Sequence, residues 1–175
     1  MKTGIEKFKD VINPDLCDSL INFMDLNLPN SLNKTHSNLQ NVICREIILP
    51  PHSELDAAVY EVIAKVAVLY KEKYCQVAFS GDTGYQLRKI TGETRLHVDN
   101  ISKNYRRNIS IILGLNSNYK GGEFHFPEQD FSTTVKRGEA IVFPVYFLYP
   151  HSVDAPIGNR YTINTWMIDA DTSFQ

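Results

Sequence analysis

A mainly β fold with helices gathered at its N-terminal end is the architecture this sequence predicts. Two observations carry it. Helical periodicity is confined to the first third of the chain, and from Gln76 onward the pattern changes to short β runs separated by Gly, Pro and Asn. Seven or eight short strands at that spacing suit a sandwich or barrel, and a jelly roll of two packed sheets is one such solution. The 175 residues, 43% hydrophobic and 22% charged, suit one globular domain spanning 1–175 with a single core. Residues 1–75 are then mainly helical support and 76–175 the jelly-roll core.

The first helix opens at Asn13-Pro14-Asp15, which supplies an N-cap side chain, a proline at the first helical position and an acid in the first turn. Leu16, Leu20, Phe23 and Met24 form its apolar stripe, which ends near Leu28-Pro29. Residues 30–40, rich in Asn, Ser, Lys and Thr, read as an exposed loop, and 42–49 as a strand. A second helix starts at Ser53, with Asp56 three residues on as an imperfect capping box. Its stripe of Leu55, Val59, Val62, Val66 and Leu69 runs to about Lys73. Both stripes are core surfaces expected to pack on a sheet. Strands are expected at 84–90, 94–98, 107–115, 122–126, 131–135, 140–143, 151–154 and 160–168, with hairpin turns at Gly121-Gly122 and at 136–139.

No run approaches the roughly 18 consecutive apolar residues of a membrane span. The opening Met1-Lys2-Thr3-Gly4-Ile5-Glu6-Lys7 alternates charged and apolar residues, unlike a signal peptide. Cys17, Cys44 and Cys75 are odd in number and far apart, so they read as reduced thiols, and the chain is expected to be cytoplasmic. A net charge of −2 argues against a generic nucleic-acid binder. The charge is uneven, however. Between residues 88 and 107 stand Arg88, Lys89, Arg95, Lys103, Arg106 and Arg107, against only Glu93 and Asp99. Such a stretch is either a solvated face or a basic rim that draws in anions.

Candidate chemistry concentrates in four residues. His97 and Asp99 sit at the end of a β run, and residues two apart share a face, so one metal ion can meet both side chains. A distant histidine would complete a 2-His-1-carboxylate triad, which holds non-haem Fe(II) with open positions for oxygen chemistry. Taken alone, His-x-Asp is a short motif that a surface pair also produces. Among the other histidines, His36 lies in a polar loop and His52 follows Pro50-Pro51, so both read as surface residues. His125 alternates with Phe124 and Phe126 and competes for a place facing the barrel interior. His151 is preferred, because it opens a short strand after an apolar run and begins the spacing that ends in Arg160.

Arg160 starts a strand, and an inward arginine there needs an anion, since an unpaired buried charge is costly. A dicarboxylate co-substrate meets that need, because guanidinium grips a carboxylate with two parallel hydrogen bonds. A structural salt bridge to Asp154 or Glu123 is the alternative. Thr162, Asn164 and Trp166 alternate with Arg160, so Trp166 either lines the pocket floor or is core. The chain has no Gly-x-Ser-x-Gly elbow, phosphate loop, Cys-x-x-Cys, His-Glu-x-x-His or dinucleotide fingerprint.

His97-Val98-Asp99, then 107–116 (Arg-Asn-Ile-Ser-Ile-Ile-Leu-Gly-Leu-Asn), Gly121-Gly122-Glu123-Phe124, 138–144 (Gly-Glu-Ala-Ile-Val-Phe-Pro), His151-Ser152-Val153 and 160–166 (Arg-Tyr-Thr-Ile-Asn-Thr-Trp) form an ordered set. That set resembles the Fe(II)/2-oxoglutarate dioxygenases, and among them the prolyl 4-hydroxylase-like branch. The likeness runs from about Tyr85 to Met167. It implies a double-stranded β-helix core, Fe(II) at His97, Asp99 and His151, and the distal carboxylate of 2-oxoglutarate at Arg160. Tyr85 and Thr162 are assigned to the co-substrate, and Arg88, Arg95 and Trp166 to the substrate. Dioxygen is the second co-substrate, and ascorbate an expected accessory reductant. The chain departs from the branch at two positions where tyrosine is common: Arg88, with Tyr85 nearby, and Gly114. It carries Arg160 where collagen-type members usually carry lysine.

The implied reaction couples oxidative decarboxylation of 2-oxoglutarate to hydroxylation of a substrate C–H bond. Peptidyl proline is the leading substrate, with lysine, another peptide side chain or a free amino acid as alternatives. A peptide or protein is thus the expected partner, and no membrane is. The polar stretch 100–106, just after two ligands, is expected to act as a mobile lid. Two other readings are a nucleic-acid oxygenase, supported only by the basic stretch, and a non-enzymatic barrel that binds a sugar, peptide or metal.

Overall fold

The computed structural model describes residues 3–35, 42–100 and 106–169. In chain order it contains β1 (Glu6–Phe8), α1 (Pro14–Leu26), a short 3-10 turn, β2 (Leu32–Thr35), β3 (Val42–Ile48), α2 (Glu54–Lys73) and β4 (Gly81–Asp82). There follow β5 (Gln86–Ile90), β6 (Thr94–His97), β7 (Arg107–Gly114), β8 (Lys120–Gly121), β9 (Phe124–Phe126), β10 (Phe131–Thr133) and β11 (Ala140–Pro144). The last are β12 (His151–Val153), β13 (Pro156–Ile157) and β14 (Arg160–Ile168).

Both helices begin where their capping residues stand. The Asn13 side chain accepts from the Leu16 N–H at 2.7 Å, and Ser53 Oγ accepts from the Asp56 N–H at 3.2 Å. Asp56 reaches back to the N–H of His52 at 2.9 Å, one residue earlier than an ideal capping box requires. α1 stops at Leu26, two residues before the end its apolar stripe predicts. The larger correction concerns residues 30–40. They were expected to be loop, but Leu32–Thr35 forms β2, a strand exposed at all four positions. Backbone pairing to β3 and a 3.1 Å ion pair from Lys34 to Glu46 hold it, so no hydrophobic alternation marks it.

A large antiparallel sheet runs β1-β11-β7-β14-β5-β3-β2, with β4 on the end of β14, and a smaller one runs β10-β9-β12-β6. β13 and β8 pair separately. The two sheets face each other as the jelly roll of a double-stranded β-helix.

Alternation along the central strands builds two cores. Ile109, Ile111 and Leu113 of β7, Ala140 and Val142 of β11, and Tyr161, Ile163 and Met167 of β14 pack against Cys17, Leu20 and Met24 of α1 and Val59, Ile63 and Val66 of α2. The intervening residues Ile112, Ile141 and Phe143 turn the other way, onto Phe124, Phe126 and Val153 of the small sheet. The chemistry lies between the sheets, on that second side.

Candidate active site

β12 lies antiparallel to β6 with His151 directly opposite His97, so the two imidazoles come together across the ladder. Their ring centroids are 4.4 Å apart. Asp99, two residues beyond His97, completes the cluster. One ligand atom from each of the three lies within 4.8 Å of the other two. His97 Nε2 is 3.2 Å from Asp99 Oδ1, and His151 Nε2 is 3.9 Å from Asp99 Oδ2. Each Nδ1 meets a backbone carbonyl, Arg95 O at 2.8 Å and Tyr149 O at 3.2 Å. A carbonyl only accepts, so Nδ1 carries the proton and each Nε2 directs its lone pair at the carboxylate. Two acceptors face to face require a cation between them. A proton satisfies this, and so does a metal ion, for which these are the donor atoms of the facial triad.

The electrostatics agree. Burial alone would lower the pKa of His97, but the hydrogen bond and charge of Asp99 outweigh it and raise it. Burial lowers that of His151, only partly offset by Asp99. Burial would raise the Asp99 carboxyl. The contact with His97, the charge of His151 and hydrogen bonds from Ser110 and Trp166 hold it far below the usual carboxylate range instead.

Asp99 is gripped from behind. Its Oδ2 accepts from Ser110 Oγ at 2.5 Å and from Trp166 Nε1 at 3.0 Å, and its carbonyl accepts from Arg107 Nη1 at 3.1 Å. The Arg107 guanidinium stacks 3.8 Å from the centroid of the Trp166 ring. His151 sits among Phe124, Phe126 and Phe143, with the Phe143 ring edge-on at 4.7 Å.

Arg160 is 2% exposed and lines the same pocket as His97, Asp99 and His151. Among the described residues no carboxylate pairs with it, so neither Asp154 nor Glu123 plays the structural role that was its alternative. Its Nε has no hydrogen-bond partner. The guanidinium lies over the Phe124 ring at 4.9 Å, with the Tyr119 hydroxyl beside it. Gly122, at φ +69, makes room: a Cβ there would stand 3.1 Å from Arg160 Cδ and 3.2 Å from Tyr119 Cε2. Burial lowers the pKa of Arg160, partly offset by Tyr119, but guanidinium remains charged in proteins. A buried cation with an unpartnered donor, beside a metal-type donor set, fits the anionic end of a dicarboxylate.

The other residues singled out in the sequence divide. Arg88 and Trp166 line the pocket. Arg88 Nε donates to the buried Glu46 at 2.7 Å, and its guanidinium also bonds Gln86. Thr162 is fully buried, with its hydroxyl committed to Asn164 Oδ1 at 2.7 Å. Tyr85 lies elsewhere, in the helix-side core, where its hydroxyl donates to Asp82 at 2.9 Å. Arg95 is exposed and outside the pocket, 3.7 Å from Glu93. His125 points away from the interior while Phe124 and Phe126 fill it. His52 is exposed. His36 and residues 101–105, most of the expected lid, lie outside the described residues.

Sequence reasoning missed Ser110, Arg107 and Tyr119. Ser110 was accessible in principle, because it pairs with Trp166 across the β7–β14 ladder and so shares its face. The glycine at 114 also has a cause: a Cβ there would stand 2.3 Å from the Lys136 carbonyl oxygen, so no tyrosine fits without moving backbone.

The model of the 2OG-Fe(II) oxygenase superfamily matches residues 85–168. No curated protein sequence matches the chain significantly. Solved structures do. A viral collagen prolyl hydroxylase from Paramecium Bursaria Chlorella virus-1, in its 2OG complex, superposes with a TM-score of 0.73 at 17% identity, covering 97% of each chain. A Pseudomonas putida prolyl-4-hydroxylase gives 0.74 at 17% identity, covering 96% of this chain and 94% of its own. A Trichoplax adhaerens prolyl hydroxylase, in complex with a hypoxia inducible factor peptide fragment, gives 0.74 at 14% identity, covering 96% and 84%. With the matched family model, the jelly roll and the converging donors together, residues 85–168 are a 2OG-Fe(II) oxygenase domain, an Fe(II)-, 2-oxoglutarate- and O2-dependent dioxygenase, in a fold shared with these prolyl hydroxylases.

Proposed function

We propose that this dioxygenase hydroxylates proline in a peptide or protein, with His97, Asp99 and His151 as the iron ligands and Arg160 as the anchor of 2-oxoglutarate. One observation carries the site assignment: three donors converge within 4.8 Å in the pocket that also holds a buried, acid-free guanidinium. Bound iron with 2-oxoglutarate and dioxygen supplies the oxidising power for an unactivated C–H bond, leaving succinate and carbon dioxide as co-products. The chain's own residues do the rest. Ser110 and Trp166 occupy Asp99 Oδ2 and leave Oδ1 turned toward His97. Phe124, Phe126 and Phe143 exclude water around His151. Arg160 draws the far carboxylate of the co-substrate and so fixes the orientation of its keto-acid end.

Proline as target is supported by the structural relatives, which are prolyl hydroxylases, one of them bound to a peptide. Nucleic acid is disfavoured because the basic stretch is partly used internally: Arg88 serves Glu46, and Arg107 serves Asp99 and Trp166. Ascorbate as accessory reductant, the single domain over 1–175 and a cytoplasmic location belong to the same proposal. The location rests on three free cysteines. Among the described residues no helix is long and apolar enough to cross a membrane. The test is mass spectrometry of proline-containing peptides incubated with Fe(II), 2-oxoglutarate and ascorbate. A gain of one oxygen on proline, matched by succinate and lost in His97→Ala, is expected. Oxygen on lysine instead, or succinate with no peptide product, overturns the substrate assignment.

A further inference from the structure

A second convergence of ligand atoms lies on the outer face of the small sheet. Phe124 and Phe126 turn inward, so His125 between them turns outward. β12 runs antiparallel beside β9, with Ser152 opposite His125 and Val153 opposite Phe124. Just past that pairing the Asp154 N–H donates to the Glu123 carbonyl at 3.0 Å, which brings Asp154 to the same patch. His125 Nε2 stands 2.9 Å from Asp154 Oδ2, and its Nδ1 stands 2.9 Å from Ser132 Oγ on β10. One ligand atom from each of Glu123, His125 and Asp154 lies within 4.8 Å of the others.

We infer that Glu123, His125 and Asp154 form a second divalent-metal site, outside the catalytic pocket and independent of the oxygenase assignment. One imidazole and two carboxylates suit a borderline first-row ion such as Zn²⁺, with water completing the shell. A simple surface ion pair accounts for less of the arrangement. An exposed His–Asp pair contributes little and leaves Glu123 out; among the described residues its carboxylate has no hydrogen-bond or ion-pair partner. Two carboxylates crowding one imidazole repel each other, and a divalent cation removes that repulsion. The ligands sit on or beside hydrogen-bonded strands, so little conformational freedom is lost on binding. Ser132 holds the ring at its other nitrogen, as the outer partner of a ligating histidine does. On binding, the ion takes the Nε2 lone pair and an Asp154 oxygen, while the ring proton sits on Nδ1 and donates to Ser132 Oγ. The bound ion bridges β9 to the end of β12, the strand whose inner face carries His151, and so braces the catalytic histidine from behind.

Calorimetric titration of the full chain with Zn²⁺ tests this. Wild type should take up two ions per chain, one at each cluster. His125→Ala and Asp154→Asn should each remove one, and the double variant H97A/H151A should remove the other. Ser132→Ala should weaken the outer ion roughly tenfold. In wild type, the ring resonances of His125 should shift as the outer ion binds, a readout that needs no variant to fold. Unchanged stoichiometry in His125→Ala and Asp154→Asn, or His125 resonances indifferent to Zn²⁺, overturns the site.

Discussion

Ser110→Ala removes one oxygen atom from this protein and leaves every proposed metal ligand in place. That oxygen donates to Asp99 Oδ2 at 2.5 Å, beside the Trp166 Nε1 donor at 3.0 Å. Together they hold the carboxylate plane so that Oδ1 faces His97. A hydrogen bond to a charged acceptor contributes about 1.5–3 kcal/mol, which corresponds to roughly 10- to 150-fold in an equilibrium constant. Part of that should be retained, because Trp166 still grips Oδ2. The expected loss is thus about 10-fold in Fe(II) or Co²⁺ affinity, near the lower end for outer partners of metal ligands. Trp166→Phe should act in the same direction, since it deletes the N–H but keeps a ring beneath Arg107. Anaerobic calorimetry on both variants is the assay, with 2-oxoglutarate affinity measured in parallel as a control that should change far less. If both variants bind metal as wild type does, Oδ2 is not what positions Asp99, and the account of the site from behind is wrong.

Arg160→Ala should raise the KM for 2-oxoglutarate far more than the Fe(II) requirement; an unchanged co-substrate dependence in steady-state succinate assays would reassign Arg160 to scaffolding. Phe143→Ala should cost about 3–5 kcal/mol in urea unfolding, because Phe143 is fully buried against Phe126 and His151; a loss under about 1 kcal/mol would mean the core between the sheets is looser than described. Glu139 accepts from Lys7 Nζ at 2.7 Å and from the Lys136 N–H at 2.8 Å. Burial would raise its pKa, but those bonds and the charges of Lys7 and Lys9 outweigh it and lower it from the ordinary 4.5. Its contribution is therefore fully present above that value and lost as pH falls through the lowered one. Glu139→Gln should be less stable than wild type at neutral pH and converge on it in acid; a difference that stays constant with pH would contradict the assignment.

What the sequence made legible follows from parity. β14 is buried at all but its last position, yet it separates into Tyr161, Ile163 and Met167 toward the helices and Arg160, Thr162, Asn164 and Trp166 toward the site. Its extent, 160–168, was readable because the whole run is β-forming. His97 and Asp99 were readable because they stand two positions apart at the end of a β run and so share a face, and the helix starts because Asn13 and Ser53 cap locally. Tyr85 fails on the same rule. It shares the parity of Leu87, which faces the helices, whereas Arg88 takes the opposite parity and reaches the pocket. β2 was unreadable because all four of its residues are exposed, and β4, β8 and β13 because two residues have no period. Ser110 and Tyr119 act through strand register and a cross-barrel contact, which no spacing along one strand encodes.

The most direct measurement is an anaerobic titration of the full chain with Fe(II) and 2-oxoglutarate, followed by visible absorption. The account predicts a weak metal-to-ligand band that saturates at one iron per chain and is absent in His97→Ala and His151→Ala. A band that survives loss of either histidine, or none in wild type, would contradict it.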